Sequence, residues 1–414
     1  MKIKRLLRQH SRNLMKKLDA ENIRFVLCLL LLIIILFDQI NSNSSNSFSI
    51  SNFLDTTILI SFLIVFLCDC LSKLLVRLIE KVSEDVNKLT VDYKKLVNRY
   101  SLDMNQMIKT RNCDPENKYI PVVCLKRAET RQSLFFSISH QHAKKQYDLP
   151  KQVKEFSSEL MNAHKTSIIY NNKNIRIDDF YDCQYGTELL YSMTTFYDSL
   201  VTNRALDYKL SNDKTIRDIY EPGPYISELK HSKLSNHLGF HGFIELSDGS
   251  IIFVERDKKL SIGKRTLGVG VEASLKTKYC LNDDHELTKE RIGNAIRMEI
   301  YDELKIELDE EENENLVQNI FAFYRDLVEG GKPQFLFYYK HNNNRKNFLQ
   351  NFGAHIEKSD RDEAIVDGKK FFFFSIEKLR KAKISSESMI IDKKKYMMMP
   401  SATASVIMLI DWLE

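Results

Sequence analysis

Two uninterrupted apolar runs dominate the start of the chain: FVLCLLLLIIILF from Phe25 to Phe37 and TTILISFLIVFLC from Thr56 to Cys68, neither with a polar face or an amphipathic period. A spanning helix needs about 20 apolar residues, so each run must borrow its flanks, which predicts membrane helices over about 23–40 and 50–71. The short polar stretch QINSNSSNSFSISNFLD joins them into a hairpin, and a second run of the same kind speaks against a cleaved signal peptide. Lys and Arg cluster before the first run and return after the second at Lys73, Arg77 and Lys81, which by the positive-inside rule places both termini in the cytoplasm.

Beyond the runs, Leu75, Ile79, Val82, Val86, Leu89, Tyr93, Leu96 and Tyr100 alternate spacings of four and three. That heptad pattern predicts a helical stalk over 72–110 that packs against copies of itself; a helix lying on its own domain would carry the same stripe. The periodicity then turns mixed. Pro150 to His164 reads as helix, Ser167 to Phe180 as a hairpin around Asn-Asn-Lys-Asn, and Thr187 to Leu206 as helix. GFIELSDGSIIFVER, from Gly242 to Arg256, reads as two strands joined at Ser247-Asp248-Gly249. Further strands are expected at Gln334–Lys340 and Lys370–Ile376, with a closing helix in SATASVIMLIDWLE.

Composition changes this picture little. Hydrophobic content of 43% and charged content of 28% over 414 residues suit a folded chain of two or three units. The net charge of +5 is modest but front-loaded, with Lys2, Lys4, Arg5, Arg8, Arg12, Lys16, Lys17 and Arg24 before the first run. The seven cysteines form no CxxC pair and no disulfide-like spacing, which points to a reduced compartment. There is no Walker loop, no G-x-G-x-x-G, no zinc-finger spacing and no G-x-S-x-G. GVGVE, from Gly268 to Glu272, is glycine-rich, and His237, His241 and His285 are too scattered to read as ligands.

The chemistry-bearing stretch is AIRMEIYDELKI, from Ala295 to Ile306. Glu299, Asp302 and Glu303 fall at i, i+3 and i+4, so a helix carries the three carboxylates on one face, where they could hold a hard cation such as Mg²⁺ or form a solvated surface.

With Glu290 upstream, these residues resemble the Nudix signature, G-x5-E-x7-R-E-U-x-E-E-x-G-U with U aliphatic. Glu290 falls at the first glutamate, Glu299 at the glutamate after the arginine, Asp302 and Glu303 at the paired acids, and Ile300 and Ile306 at aliphatic positions. The departures are Met298 at the arginine, Lys305 at the closing glycine and Asp284 at the opening one, so that Gly268 or Gly270 would serve as the loop glycine. Clustered carboxylates without that arginine repel, which raises a proton affinity and weakens a metal site; Arg297 lies about 100° around the helix and does not replace it. The resemblance implies an α/β (α+β) fold, a Nudix-like α/β/α sandwich, with binding more credible than turnover. The expected organisation is a basic cytoplasmic segment 1–22, a transmembrane hairpin 23–71, the stalk 72–110, a mixed α/β lead-in 111–235 and the Nudix-like domain 236–414.

That order of parts is similar to the membrane effectors of bacterial cyclic-oligonucleotide-based antiphage signalling systems (CBASS) that join two transmembrane helices to a Nudix domain. The resemblance implies a multi-pass protein of the bacterial inner membrane, a homo-oligomer whose soluble domain senses a cyclic oligonucleotide and whose helices disrupt the bilayer through pore formation or damage. It implies no nucleic acid polymer as partner. Arg256, Lys264, Arg265, Gly268, Gly270, Tyr324 and Tyr338 are the ligand-binding candidates, and Glu299, Asp302, Glu303 and Glu290 the metal-binding ones if Mg²⁺ is kept. The alternative is a membrane-tethered, Mg-dependent Nudix hydrolase of nucleoside diphosphate derivatives.

Overall fold

The computed structural model describes residues 88–113, 118–164, 167, 171–183, 186–258, 260–352, 356–359, 362–366 and 369–414. Lys88–Glu414 forms one compact unit. The basic segment 1–22, the hairpin 23–71 and the first part of the stalk lie outside the described residues.

An eleven-stranded sheet organises the unit. Its path runs β1 (Met107–Lys109), β2 (Tyr119–Arg127), β10 (Ile320–Asp326), β11 (Lys332–Lys340), β6 (Gly239–Glu245), β7 (Ser250–Glu255), β14 (Lys369–Ser375), β13 (Glu363–Val366) and β12 (Ile356–Ser359). β8 (Leu267–Val269) pairs with β7, and β9 (Val271–Ser274) with β6. Every pairing is antiparallel except β11 with β6. Two three-stranded sheets flank it: β3 (Phe136–Ser139), β5 (Gly186–Thr195) and β4 (Lys173–Cys183), in that order, and β15 (Lys383–Ile384), β16 (Ser388–Ile391) and β17 (Lys394–Met397).

Alternation along the strands supplies a core on each face. On one face Phe240, Phe335 and Phe337 pack with Ile292, Ala295, Ile296 and Ile300 of the acidic helix, Lys289–Leu304. On the other, Phe243, Leu336 and Phe321 pack with Ala404, Met408 and Trp412 of the closing helix, Pro400–Leu413. The described chain is thus mixed α/β, with helices on both sides of a large sheet.

The membrane part of the expected fold is corrected here. No helix among the described residues is long and apolar enough to cross a membrane. The two longest have 16 and 14 residues, short of the roughly 20 a bilayer core requires, and the longer one is acidic along one face. The multi-pass, inner-membrane placement and pore formation are therefore set aside. The described part of the stalk is also not a stalk. Tyr93–Arg99 is a short helix, followed by a 3₁₀ turn and β1. Its stripe faces inward: Leu96 and Tyr100 are buried against Met107, Val123, Leu327 and Val328, and the Tyr100 hydroxyl donates to the Glu221 carbonyl at 2.8 Å.

Two local expectations also change. The turn expected at Asn171–Asn174 is displaced, because Lys173–Cys183 continues as β4 and pairs with Gly186–Thr195. Thr187 to Thr195 is a strand rather than a helix, and helix begins only at Phe196, where Thr195 and Asp198 form a capping box. The hairpin at Ser247-Asp248-Gly249 stands, with Gly249 at φ 78°.

Candidate functional site

The site arises where the central sheet splits. β6 and β7 pair with each other only next to their turn, at Glu245 and Ile251. Beyond that, β6 pairs with β9 and β7 with β8, and Gly270 carries the chain between β8 and β9. The split opens a cavity of about 680 Å³, lined from the acidic helix, the glycine turn, the β7–β8 loop, β14 and the start of the closing helix. A Cβ on Gly268 would lie 2.5 Å from Glu272 Oε1 and would push that side chain aside, and one on Gly270 would press on the Ile252 carbonyl oxygen at 3.0 Å.

The acidic helix starts at Thr288, whose Oγ1 accepts from Arg291 N at 3.2 Å. It ends at Lys305, which adopts the left-handed conformation at φ 53° and ψ 31°. Lysine therefore holds a backbone shape that glycine takes without strain. Gly293 lets the helix approach the next one, since a Cβ there would stand 2.1 Å from the Asn313 carbonyl oxygen.

Three of the four acids reach the cavity. Glu299, Asp302 and Glu303 line it, whereas Glu290 sits exposed in the first turn of the helix and does not. The acids meet lysines. Lys276 Nζ lies 2.6 Å from Glu299 Oε1, with the Glu299 side chain only 3% exposed, and Lys369 Nζ lies 3.5 Å from Glu303 Oε2. Burial raises the Glu299 pKa above its ordinary value, the Lys276 charge pulls it down, and Asp302 and Glu303 add to the rise. Arg297 is turned away, donating to Asn313, Asn294 and the Leu308 carbonyl.

These residues do not fit a Mg²⁺ site. The ammonium of Lys276 occupies the buried carboxylate that would have to face the ion. Among the described residues no group of three His, Cys, Asp or Glu side chains is placed to hold a metal.

The basic residues occupy the walls. Arg256 and Arg265 line the cavity from the β7–β8 loop, as do Lys369 and Lys370 from β14. Arg256 pairs with Glu272, whose Oε1 also accepts from Val269 N at 3.1 Å. Burial, then the charge of Arg204, brings the Arg256 guanidinium down to about 10, so it stays charged at neutral pH. Lys264 lies on the same loop without lining the cavity, Tyr324 is buried behind it, and Tyr338 is remote, bonded to Glu245 at 2.7 Å and packed against Trp412.

The floor was not foreseen. Arg204, Glu329 and Lys332 form a buried charged group, with Arg204 Nε and Lys332 Nζ each 3.4 Å from the Glu329 carboxylate. Neighbouring Asp326 is driven up to about 7, first by burial and then by Glu329, while Lys332 and Arg204 hold Glu329 below its ordinary value. His241 and Gln334 complete the floor; His241 Nδ1 is held by Ser405 Oγ at 2.9 Å and Tyr324 Oη at 3.1 Å. Glu272 lies within GVGVE and pairs with Arg256, both of them singled out in the sequence, though Glu272 itself was not.

No protein-family model matches the chain, and comparison with curated proteins finds no relative. Among solved structures, the crystal structure of DR0079 from Deinococcus radiodurans is similar over 34% of this chain and 68% of its own, at 17% identity and a TM-score of 0.21. A likeness of that extent assigns neither fold nor function.

Proposed function

We propose that this chain binds a nucleotide signal, a cyclic oligonucleotide, in the split of the sheet, and does not hydrolyse it. The observation that carries the reading is the Lys276–Glu299 contact at 2.6 Å, which sets a cation of the protein's own against the central carboxylate. A cavity of about 680 Å³ falls in the range of small-molecule sites. Arg256 and Arg265 on one wall and Lys369 and Lys370 on another offer charge to phosphodiester groups. The ligand class is the one the sequence resemblance implies, kept here without the membrane helices on which that resemblance also drew.

Calorimetric titration of the full chain with cyclic di- and trinucleotides tests this. Binding is expected without divalent metal and with the ligand recovered intact. Arg256→Ala combined with Arg265→Ala is expected to weaken it at least tenfold and to flatten its salt dependence. If no compound of the panel binds, the reading is wrong. Hydrolysis of a nucleoside diphosphate derivative with Mg²⁺ or Mn²⁺, lost in Glu303→Gln, would establish the hydrolase instead.

A further inference from the structure

The floor of the cavity carries hydrogen-bonding capacity that the protein itself does not use. Gln334 is 3% exposed and lines the cavity, yet no described residue bonds its carboxamide. The amide opens into the cavity, where water or a ligand satisfies it. His241, on the neighbouring strand, is 5% exposed; Ser405 and Tyr324 engage its Nδ1 and no described residue engages its Nε2. β11 pairs with β6 so that Gln334 stands beside Gly239 and Leu336 beside His241. Gln334 and His241 therefore project from one face of the sheet as diagonal neighbours. Gly239 makes the room: a Cβ there would lie 3.0 Å from Gln334 Oε1 and 3.2 Å from Lys332 Nζ.

A cation–aromatic pair stands in the same cavity. The Arg204 guanidinium lies 4.9 Å from the centroid of the Phe196 ring and is tethered to Glu329, and both Arg204 and Phe196 line the cavity. A guanidinium set over an aromatic ring, with the ring beside it, offers planar groups against which another planar ring can stack.

We propose that this floor is a base-reading subsite, in which a nucleobase stacks against the Arg204–Phe196 pair and Gln334, with His241, reads its hydrogen-bonding edge. The proposal rests on the reading of the cavity as a nucleotide site and adds to it a discrimination between bases. A carboxamide offers an adjacent donor and acceptor in one plane, which a phosphate, having acceptors only, cannot match. The arginines and lysines of the walls hold phosphate, and the floor holds the base.

The test is calorimetry on the full chain with cyclic di-AMP, cyclic di-GMP and cyclic di-UMP, and with inorganic tripolyphosphate as a base-free anion. The native chain is expected to prefer one base by tenfold or more. Gln334→Leu, close in volume, is expected to erase that preference while tripolyphosphate affinity stays within about twofold, and Gln334→Glu to change which base is preferred. Thermal unfolding of both variants verifies that the fold stands. A preference that survives Gln334→Leu, or tripolyphosphate binding as tight as that of the dinucleotides, overturns the base subsite and leaves the anion site standing. Absence of binding by all four probes overturns both.

Discussion

Lys276 decides the character of the site more than the acids around it. It sits 2.6 Å from a carboxylate that is 3% exposed, and breaking one side of a buried pair typically costs about 3–5 kcal/mol. Lys276→Met is expected to lower stability to chemical denaturation by that order, and Glu299→Gln in the same chain to recover much of it, giving a positive coupling in a double-mutant cycle. A second residue-level prediction concerns acid. His164 is fully buried, its Nε2 donates to the Leu200 carbonyl at 2.9 Å, and burial draws its pKa from 6.5 to about 3. The unfolded chain therefore takes up a proton that the folded one refuses, and stability falls as pH drops from about 6.5 toward 3, by up to about 1.4 kcal/mol per unit from this group. Denaturation at stepped pH should show a shallower slope for His164→Gln. The acids were legible from their spacing because an α-helix makes spacing into geometry. Lys276, Arg204 and Gln334 were not, since they arrive from a helix N-cap, a 3₁₀ segment and a strand whose meeting depends on the whole sheet.

At the scale of elements, the glycines of β6 set the thickness of the core. A Cβ on Gly242 would fall 2.1 Å from the Phe337 ring, and overpacking of this kind costs about 1–3 kcal/mol. Gly242→Ala is expected to depress the melting temperature by several degrees, and Phe337→Leu in the same chain to restore part of it. The short helix at Tyr93–Arg99 gives a sharper contrast with the heptad reading. Leu96, 2% exposed, packs into its own domain, so Leu96→Ala should cost about 2–5 kcal/mol in stability and leave the mass measured by light scattering unchanged. The described end of the stripe packs into its own domain, because periodicity marks which face is buried and not what buries it. The same limit explains Thr187–Thr195: Leu189, Leu190 and Met193 sit at helix-like spacings, yet pairing with β4 and β3 makes the segment a strand.

For the molecule as a whole, the order of strands in the sheet bears little relation to their order in the chain. The alternation of strand and helix made a mixed α/β unit legible, and the turn residues located the β6–β7 hairpin. The path of the sheet was not legible, because β2 lies beside β10 and β11 beside β6 through contacts that no local pattern encodes. Such pairings carry a timing cost during synthesis. Arg127 in β2 finds its partner Ala322 in β10, and the Gln132 carbonyl accepts from Trp412 Nε1 across 280 positions. At about 5–20 residues per second, β2 waits on the order of 10–40 s after leaving the ribosome before β10 exists. During that interval its apolar side chains, Ile120, Val122 and Val123, all buried in the finished fold, have only the three-residue β1 beside them. The nascent chain is thus a natural client for a holding chaperone until its last quarter emerges, and nascent chains arrested before Ile320 should co-purify with one where those arrested past the closing helix should not.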